Sequence, residues 1–191
     1  VSSIEGSSEK EMIKNFLHFI NQKNPKLISF NGRSFDMPLL MLRAMQYNLT
    51  CSAYFEAENK ELNKNKWDNY RARYSDRFHV DLMDHLCEFG AVRGLKLDHV
   101  CSMVGLPGKY DVHGDQVMEL YYAGNLEKIK EYCESDVLNT YWLFLKYELL
   151  KGNVVIEDYQ RALATMQENL RPEKSYTDVF GIAIEDELYK E

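Results

Sequence analysis

Three side chains carry most of the chemical potential of this sequence. Asp36 lies six residues past a short apolar run, 27–30 (LISF), and just beyond Asn31-Gly32, a pair with turn chemistry. Tyr132 and Asp136 are four residues apart in a helical pattern, so they project from one face a turn apart. Each has a plain reading: Asp36 can cap the helix that follows it, Tyr132 can be a packed aromatic, and Asp136 a solvated charge. Together they admit a sharper one. A carboxylate at a strand end and another on a long helix, with a tyrosine one turn before it, are what a two-metal phosphodiesterase requires. Hard divalent cations such as Mg²⁺ take oxygen ligands, and two of them about 4 Å apart activate a water and stabilise a leaving oxygen. A phenol can orient that water, although its high ordinary pKa makes it a poor base near neutrality.

A strand, a turn and two helices must position these groups. Residues 27–30 suit a buried strand, with Pro25 before it. Pro38 falls near the start of a helix-like run from 36 or 37 to 47, in the first turn, where its missing N–H costs nothing; this puts Asp36 at or beside the N-cap. The strongest helical pattern is 126–150, in which Ile129, Tyr132, Cys133, Val137, Thr140, Tyr141, Phe144 and Leu145 would make one wide apolar face around Asp136. A carboxylate set in such a face is costly unless paired or bound to a cation. Further helices are expected over 9–22, 95–104, 115–123 and 156–170, and a second strand over 78–82 that runs into a helix through 89. Residues 57–77 are expected to be a partly mobile connection, and 172–191 an unassigned tail. The character is α/β, but two short strands do not make an independently stable sheet.

The 191 residues, 45% hydrophobic and 13% aromatic, suffice for one folded domain over 1–191. No apolar run nears the ~20 residues that cross a bilayer, and the opening VSSIEGSSEK is not a signal peptide. The four cysteines, Cys51, Cys87, Cys101 and Cys133, follow no CxxC or zinc spacing, so buried, reduced thiols and a cytoplasmic location are expected. A net charge of −7 excludes nucleic-acid binding through bulk electrostatics, but not a nuclease that needs carboxylates and places its cations locally. Residues 60–77 (KELNKNKWDNYRARYSDR) do gather cations, with Trp67, Tyr70 and Tyr74 interleaved. The plain reading is a solvated surface loop; the sharper one is a strand-guiding loop whose aromatics stack on bases.

The segment from Asn31 to Pro38 (NGRSFDMP) resembles the second exonuclease motif of family B DNA polymerases. Tyr132-Cys133-Glu134-Ser135-Asp136 resembles the tyrosine-bearing form of their third motif. The stretches PKLISFNGRSFDMPLLMLRA, HVDLMDHL, GLPGK and YCESDVLNTYWLFLKYELLKG resemble more closely a family of stand-alone bacterial proteins described as predicted 3′–5′ exonucleases, over residues 9–160. The resemblance implies a ribonuclease H-like fold, a mixed sheet flanked by helices, and Mg²⁺- or Mn²⁺-dependent removal of nucleotides from a single-stranded 3′ end, DNA in preference to RNA. It would make Asp36 and Asp136 metal-linked carboxylates, have Tyr132 orient the water, and place Asn31 and Phe35 on the 3′-terminal nucleotide. Lys109 of GLPGK, with His113 nearby, is a candidate phosphate contact or a plain turn lysine, and Asp81 reads as structural or as a support behind the metal-linked groups.

The family's first motif, an Asp-x-Glu on the first strand that supplies two of the four metal ligands, has no counterpart in this chain. Ile4-Glu5-Gly6 lacks the aspartate. The expectation is that this motif and the first three strands lie upstream of Val1, and that a chain starting there lacks half its metal site. Two rivals remain: a nucleic-acid-binding module of the same fold without catalysis, and a protein-interaction platform that uses the acidic region from 157 onward.

Overall fold

The computed structural model describes residues 7–109 and 114–190, in a chain that divides into two compact units, Val1–Arg93 and Gly94–Glu191. The first unit begins with α1 (Glu9–Lys23), started by a capping box in which Ser8 Oγ accepts from the Glu11 N–H and Glu11 accepts from the Ser8 N–H. Asn24, left-handed at φ 45°, ends it and turns the chain into β1 (Leu27–Ser29). Then come α2 (Asp36–Gln46), the single turn α3 (Ser52–Phe55), β2 (His79–Asp81) and α4 (Leu82–Leu86), with a 3₁₀ turn at Glu88–Gly90. β1 and β2, the two strands legible in the sequence, pair in parallel with Leu27 opposite His79 and Ser29 opposite Asp81. Ile13, Leu17 and Ile20 of α1 close with Ala44, Cys51, Ala53, Tyr70 and Phe78 into a buried core.

The segment 57–77, expected to be a partly mobile connection, is pinned into that core. Tyr70 is fully buried and its hydroxyl donates to Pro25 O at 2.6 Å. Lys64 is buried with its ammonium donating to Asn24 Oδ1, Ala53 O and Glu56 Oε2, so every proton finds an acceptor. Short bridges pair Asn59 with Lys64 and Asn65 with Asp68.

The second unit contains α5 (Leu97–Val104), a 3₁₀ turn (Gly114–Gln116), α6 (Val117–Tyr122), α7 (Leu126–Leu150), α8 (Ile156–Glu168) and α9 (Thr177–Leu188). The last of these lies in what the sequence left as a tail. Phe180 and Ile184 of α9 are fully buried. The Trp142 indole N–H donates to Tyr159 Oη at 3.0 Å, and that hydroxyl donates onward to Glu187 at 2.7 Å, which joins α7, α8 and α9.

The buried face of α7 is not the one read from its apolar residues. Glu134, Ser135, Asn139, Trp142, Leu143, Leu145 and Glu148 face inward, whereas Cys133, Val137 and Tyr141 are exposed. Some of the inward polar groups find partners: Tyr176 donates to Glu134 Oε2 and Asn153 to Glu148, while Glu134 Oε1 is buried with no hydrogen-bond partner among the described residues. Cys51, Cys87 and Cys101 are buried free thiols as expected; Cys133 is the exception. Among the described residues no helix is long and apolar enough to cross a membrane.

Candidate active site

The first unit builds the surroundings of Asp36 from the turn that follows β1. Asn31 takes φ 69°, the left-handed region that asparagine tolerates, and its carbonyl accepts from the N–H groups of Ser34 and Phe35. Gly32 O accepts from Met37 N at 2.8 Å, which closes the turn onto α2. The buried carboxylate of Asp81 holds this turn from beneath, accepting from Asn31 N at 2.7 Å, Arg33 N at 2.8 Å and Met83 N at 3.1 Å. Asp81 is therefore structural, as its sequence position suggested: it pins the turn and caps α4 at once.

Arg33 locks the same turn from the side. Its guanidinium donates to Tyr70 O, Ala72 O and His79 O at 2.9, 3.2 and 2.7 Å. Ser29 Oγ and His79 Nε2 share a 2.8 Å hydrogen bond under Gly32, and burial drives the His79 pKa down to about 3, so the ring is neutral. A Cβ on Gly32 would lie 2.4 Å from Ser29 Oγ and 3.5 Å from Asp36 Oδ2, so only glycine allows this approach.

Asp36 is the first residue of α2, not its cap. The cap position is Phe35, which makes no side-chain capping bond. Pro38 is two residues further on, inside the first turn as expected. Partial burial of the carboxyl raises its pKa above the ordinary aspartate value, and the Asp81 charge adds to the rise. Phe35 is 62% exposed, a large apolar surface left open one residue before the carboxylate.

The second unit builds the surroundings of Asp136. Tyr132, Asp136 and Lys109 interact electrostatically: Lys109 Nζ lies 5.1 Å from the Tyr132 ring centroid, and the Lys109 charge counters the rise in the Tyr132 and Asp136 pKa. Burial raises both the Tyr132 and the Asp136 pKa, and the Asp98 carboxylate raises Asp136 further. Asp136 Oδ1 is buried with no hydrogen-bond partner among the described residues. Tyr132, Asp136 and Lys109, each a candidate from the sequence, lie in one cluster; His113 lies outside the described residues.

Two residues of this cluster were missed. Asn139 is buried one turn past Ser135 and clamps the GLPGK loop, its Oδ1 accepting from Gly108 N and its Nδ2 donating to Gly108 O and Ser135 O, all at 3.0 Å. Asp98 accepts from Lys109 N at 2.9 Å. The signal for Asn139 was its place seven residues, two turns, after Tyr132 on the same helix. Asp98 reads as an ordinary acid in a first turn and gave no signal.

A divalent cation fits Asp136 on one observation. An unpartnered, buried carboxylate oxygen is costly to leave bare, and a hard cation satisfies it. Among the described residues no three His, Cys, Asp or Glu side chains gather as a ready metal set.

The chain belongs to the family of predicted 3′–5′ exonucleases related to the exonuclease domain of PolB, whose family model matches residues 1–183. It is similar to a DNA polymerase of Archaeoglobus fulgidus, 25% identical over 150 residues that make up 75% of this chain and 19% of that one. DNA polymerases of Pyrococcus glycovorans and Pyrococcus horikoshii are each 29% identical across 72% of this chain, over 18% and 11% of their own lengths. The chain therefore spans about a fifth or less of these curated relatives. No solved structure matches it.

Proposed function

We propose that this chain is the core of a metal-dependent 3′–5′ exonuclease that removes nucleotides from a single-stranded 3′ end, DNA in preference to RNA. The proposal includes a ribonuclease H-like fold, to which the parallel β1–β2 pair and the flanking helices would contribute. Asp36 and Asp136 are the carboxylates to which Mg²⁺ or Mn²⁺ would be linked. When bound, a pair of such ions supplies Lewis-acid stabilisation of the phosphate and a water acidic enough to attack it.

The protein's own groups do the rest. Tyr132, held between Lys109 and Asp136, orients the attacking water through its hydroxyl; burial keeps the phenol protonated, so it acts as a positioner and not as the base. Lys109 meets a phosphate oxygen. Phe35, exposed beside Asp36, stacks on the terminal base, and Asn31 contacts the same nucleotide. The observation that carries the reading is the buried, unpartnered Oδ1 of Asp136 one turn past Tyr132, in a chain of this family.

End-labelled single strands incubated with the protein and Mn²⁺ test it: a ladder shortening from the 3′ end is expected, and Asp136→Asn should abolish it with the fold intact. A mobility shift without a ladder would establish the second reading, a binding module without catalysis. Residues 1–191 themselves contain no Asp-x-Glu.

A further inference from the structure

The chain around Arg71 is tied to the turn that carries Asp36. Arg33 of that turn holds Tyr70 O and Ala72 O, the carbonyls on either side of Arg71. The exposed Arg71 guanidinium lies over the Phe55 ring, its Cζ 5.3 Å from the centroid, and Phe55 is itself 52% exposed. Tyr54 braces Phe55 edge-on at 5.3 Å and stacks on the fully buried Tyr70 at 6.0 Å. The pair is thus an outward-facing plate mounted on the core.

Other cations of this basic stretch are already engaged. Lys64 is buried against Glu56, Arg73 pairs with Asp84 at 2.6 Å, and Arg77 donates to Leu62 O and Asn63 O. Among the described residues no carboxylate pairs with Arg71. A guanidinium lying on an aromatic face keeps its own upper face for a planar group and its N–H edge for an anion.

We propose that Phe55 and Arg71 form a subsite for single-stranded nucleic acid, stacking one base and meeting its phosphate, on the strand that leads to the Asp36 turn. The proposal rests on the exonuclease reading and adds a subsite to it; neither residue belongs to the metal-linked set.

The test is an anisotropy titration of labelled oligothymidylate with the 191-residue chain at low salt, with EDTA present so that no strand is cleaved. Arg71→Glu should raise Kd about tenfold and Phe55→Ala about fivefold, in line with one stacked base and one phosphate contact. Arg71→Gln should make the salt slope shallower by about 0.7, the value for one phosphate of a single strand. Lys10→Glu, a charge reversal on the exposed side of α1, should stay within about twofold of wild type. Wild-type affinity in both Arg71→Glu and Phe55→Ala overturns the subsite and leaves the exonuclease reading standing. An equal loss in Lys10→Glu overturns it too, because net charge alone would then account for binding. A wild-type chain that neither binds nor shortens the strand overturns both.

Discussion

The backbone N–H of Arg33 donates to the Asp81 carboxylate at 2.8 Å, from the turn after one strand to the last residue of its parallel neighbour. With the Asn31 and Met83 bonds, one buried side chain collects three backbone donors. Hydrogen bonds to a charged acceptor are worth more than neutral ones, and orphaned donors carry a desolvation cost. Asp81→Ala should therefore destabilise the protein by about 3 kcal/mol in urea unfolding. Asp81→Asn should fall between, because its amide keeps one acceptor oxygen and turns an NH₂ toward the other donors. A midpoint unchanged in Asp81→Ala would show that the turn holds itself.

Gly32→Ala tests the floor of the same turn. The new methyl would meet Ser29 Oγ at 2.4 Å and Ser29 Cβ at 2.5 Å, and Ser29 is held in place by its bond to His79. Overpacking of this kind typically costs about 1–3 kcal/mol. Adding Ser29→Gly removes the clash, so a double-mutant cycle should give a favourable coupling of about 1 kcal/mol or more. No coupling would place the strain elsewhere.

Asp136 predicts a pH dependence with a definite sign. Its folded pKa is raised above the ordinary aspartate value, so the folded state holds a proton that the unfolded chain has released. Stability is then greatest below the unfolded carboxylate pKa and is lost as pH rises through the folded one. Asp136→Asn removes that loss. In the absence of metal, the variant should match wild type near pH 3 and be the more stable of the two at neutral pH, by urea titrations across that range. A variant less stable at neutral pH would mean that the carboxylate is paired more strongly than its surroundings indicate.

Asn139→Ala should release the GLPGK loop from α7. Three hydrogen bonds from one buried amide are lost, for about 3 kcal/mol, and the Gly108 N–H loses its acceptor. Hydrogen exchange reads this directly: the Gly108 amide should be protected in wild type and exchange fast in the variant. Tyr132 should keep its place on the helix while Lys109 moves away from it.

Much of this architecture was legible where its cause was local. α7 has the bounds that its pattern gave, and both strands appear within one or two residues of their apolar runs. The spacing of Tyr132 and Asp136 alone placed them together. What escaped depended on partners far along the chain. Lys64 looks like any surface lysine until Asn24, 40 residues earlier, meets its ammonium. The inward face of α7 carries Glu134 and Asn139, which meet Tyr176 and Gly108 far along the chain, and no helical period reports that. At the N-cap of α9 and within it, Tyr176, Phe180 and Ile184 recur every four residues, a pattern blurred by Gly181 and the surrounding acids.

The three carbonyls gathered by Arg33 lie 37, 39 and 46 residues downstream of it. On a ribosome, the Asp36 turn is made long before the groups that hold it. Until residues 70–79 have left the exit tunnel, Arg33 lacks its full set of acceptors, and until Asp81 follows, the Asn31 and Arg33 N–H groups lack its carboxylate. Closing loops of this length carries an entropy that local contacts do not repay, so this turn belongs to the late events of folding. A chain released before residue 81 would display the NGRSFD sequence without its shape.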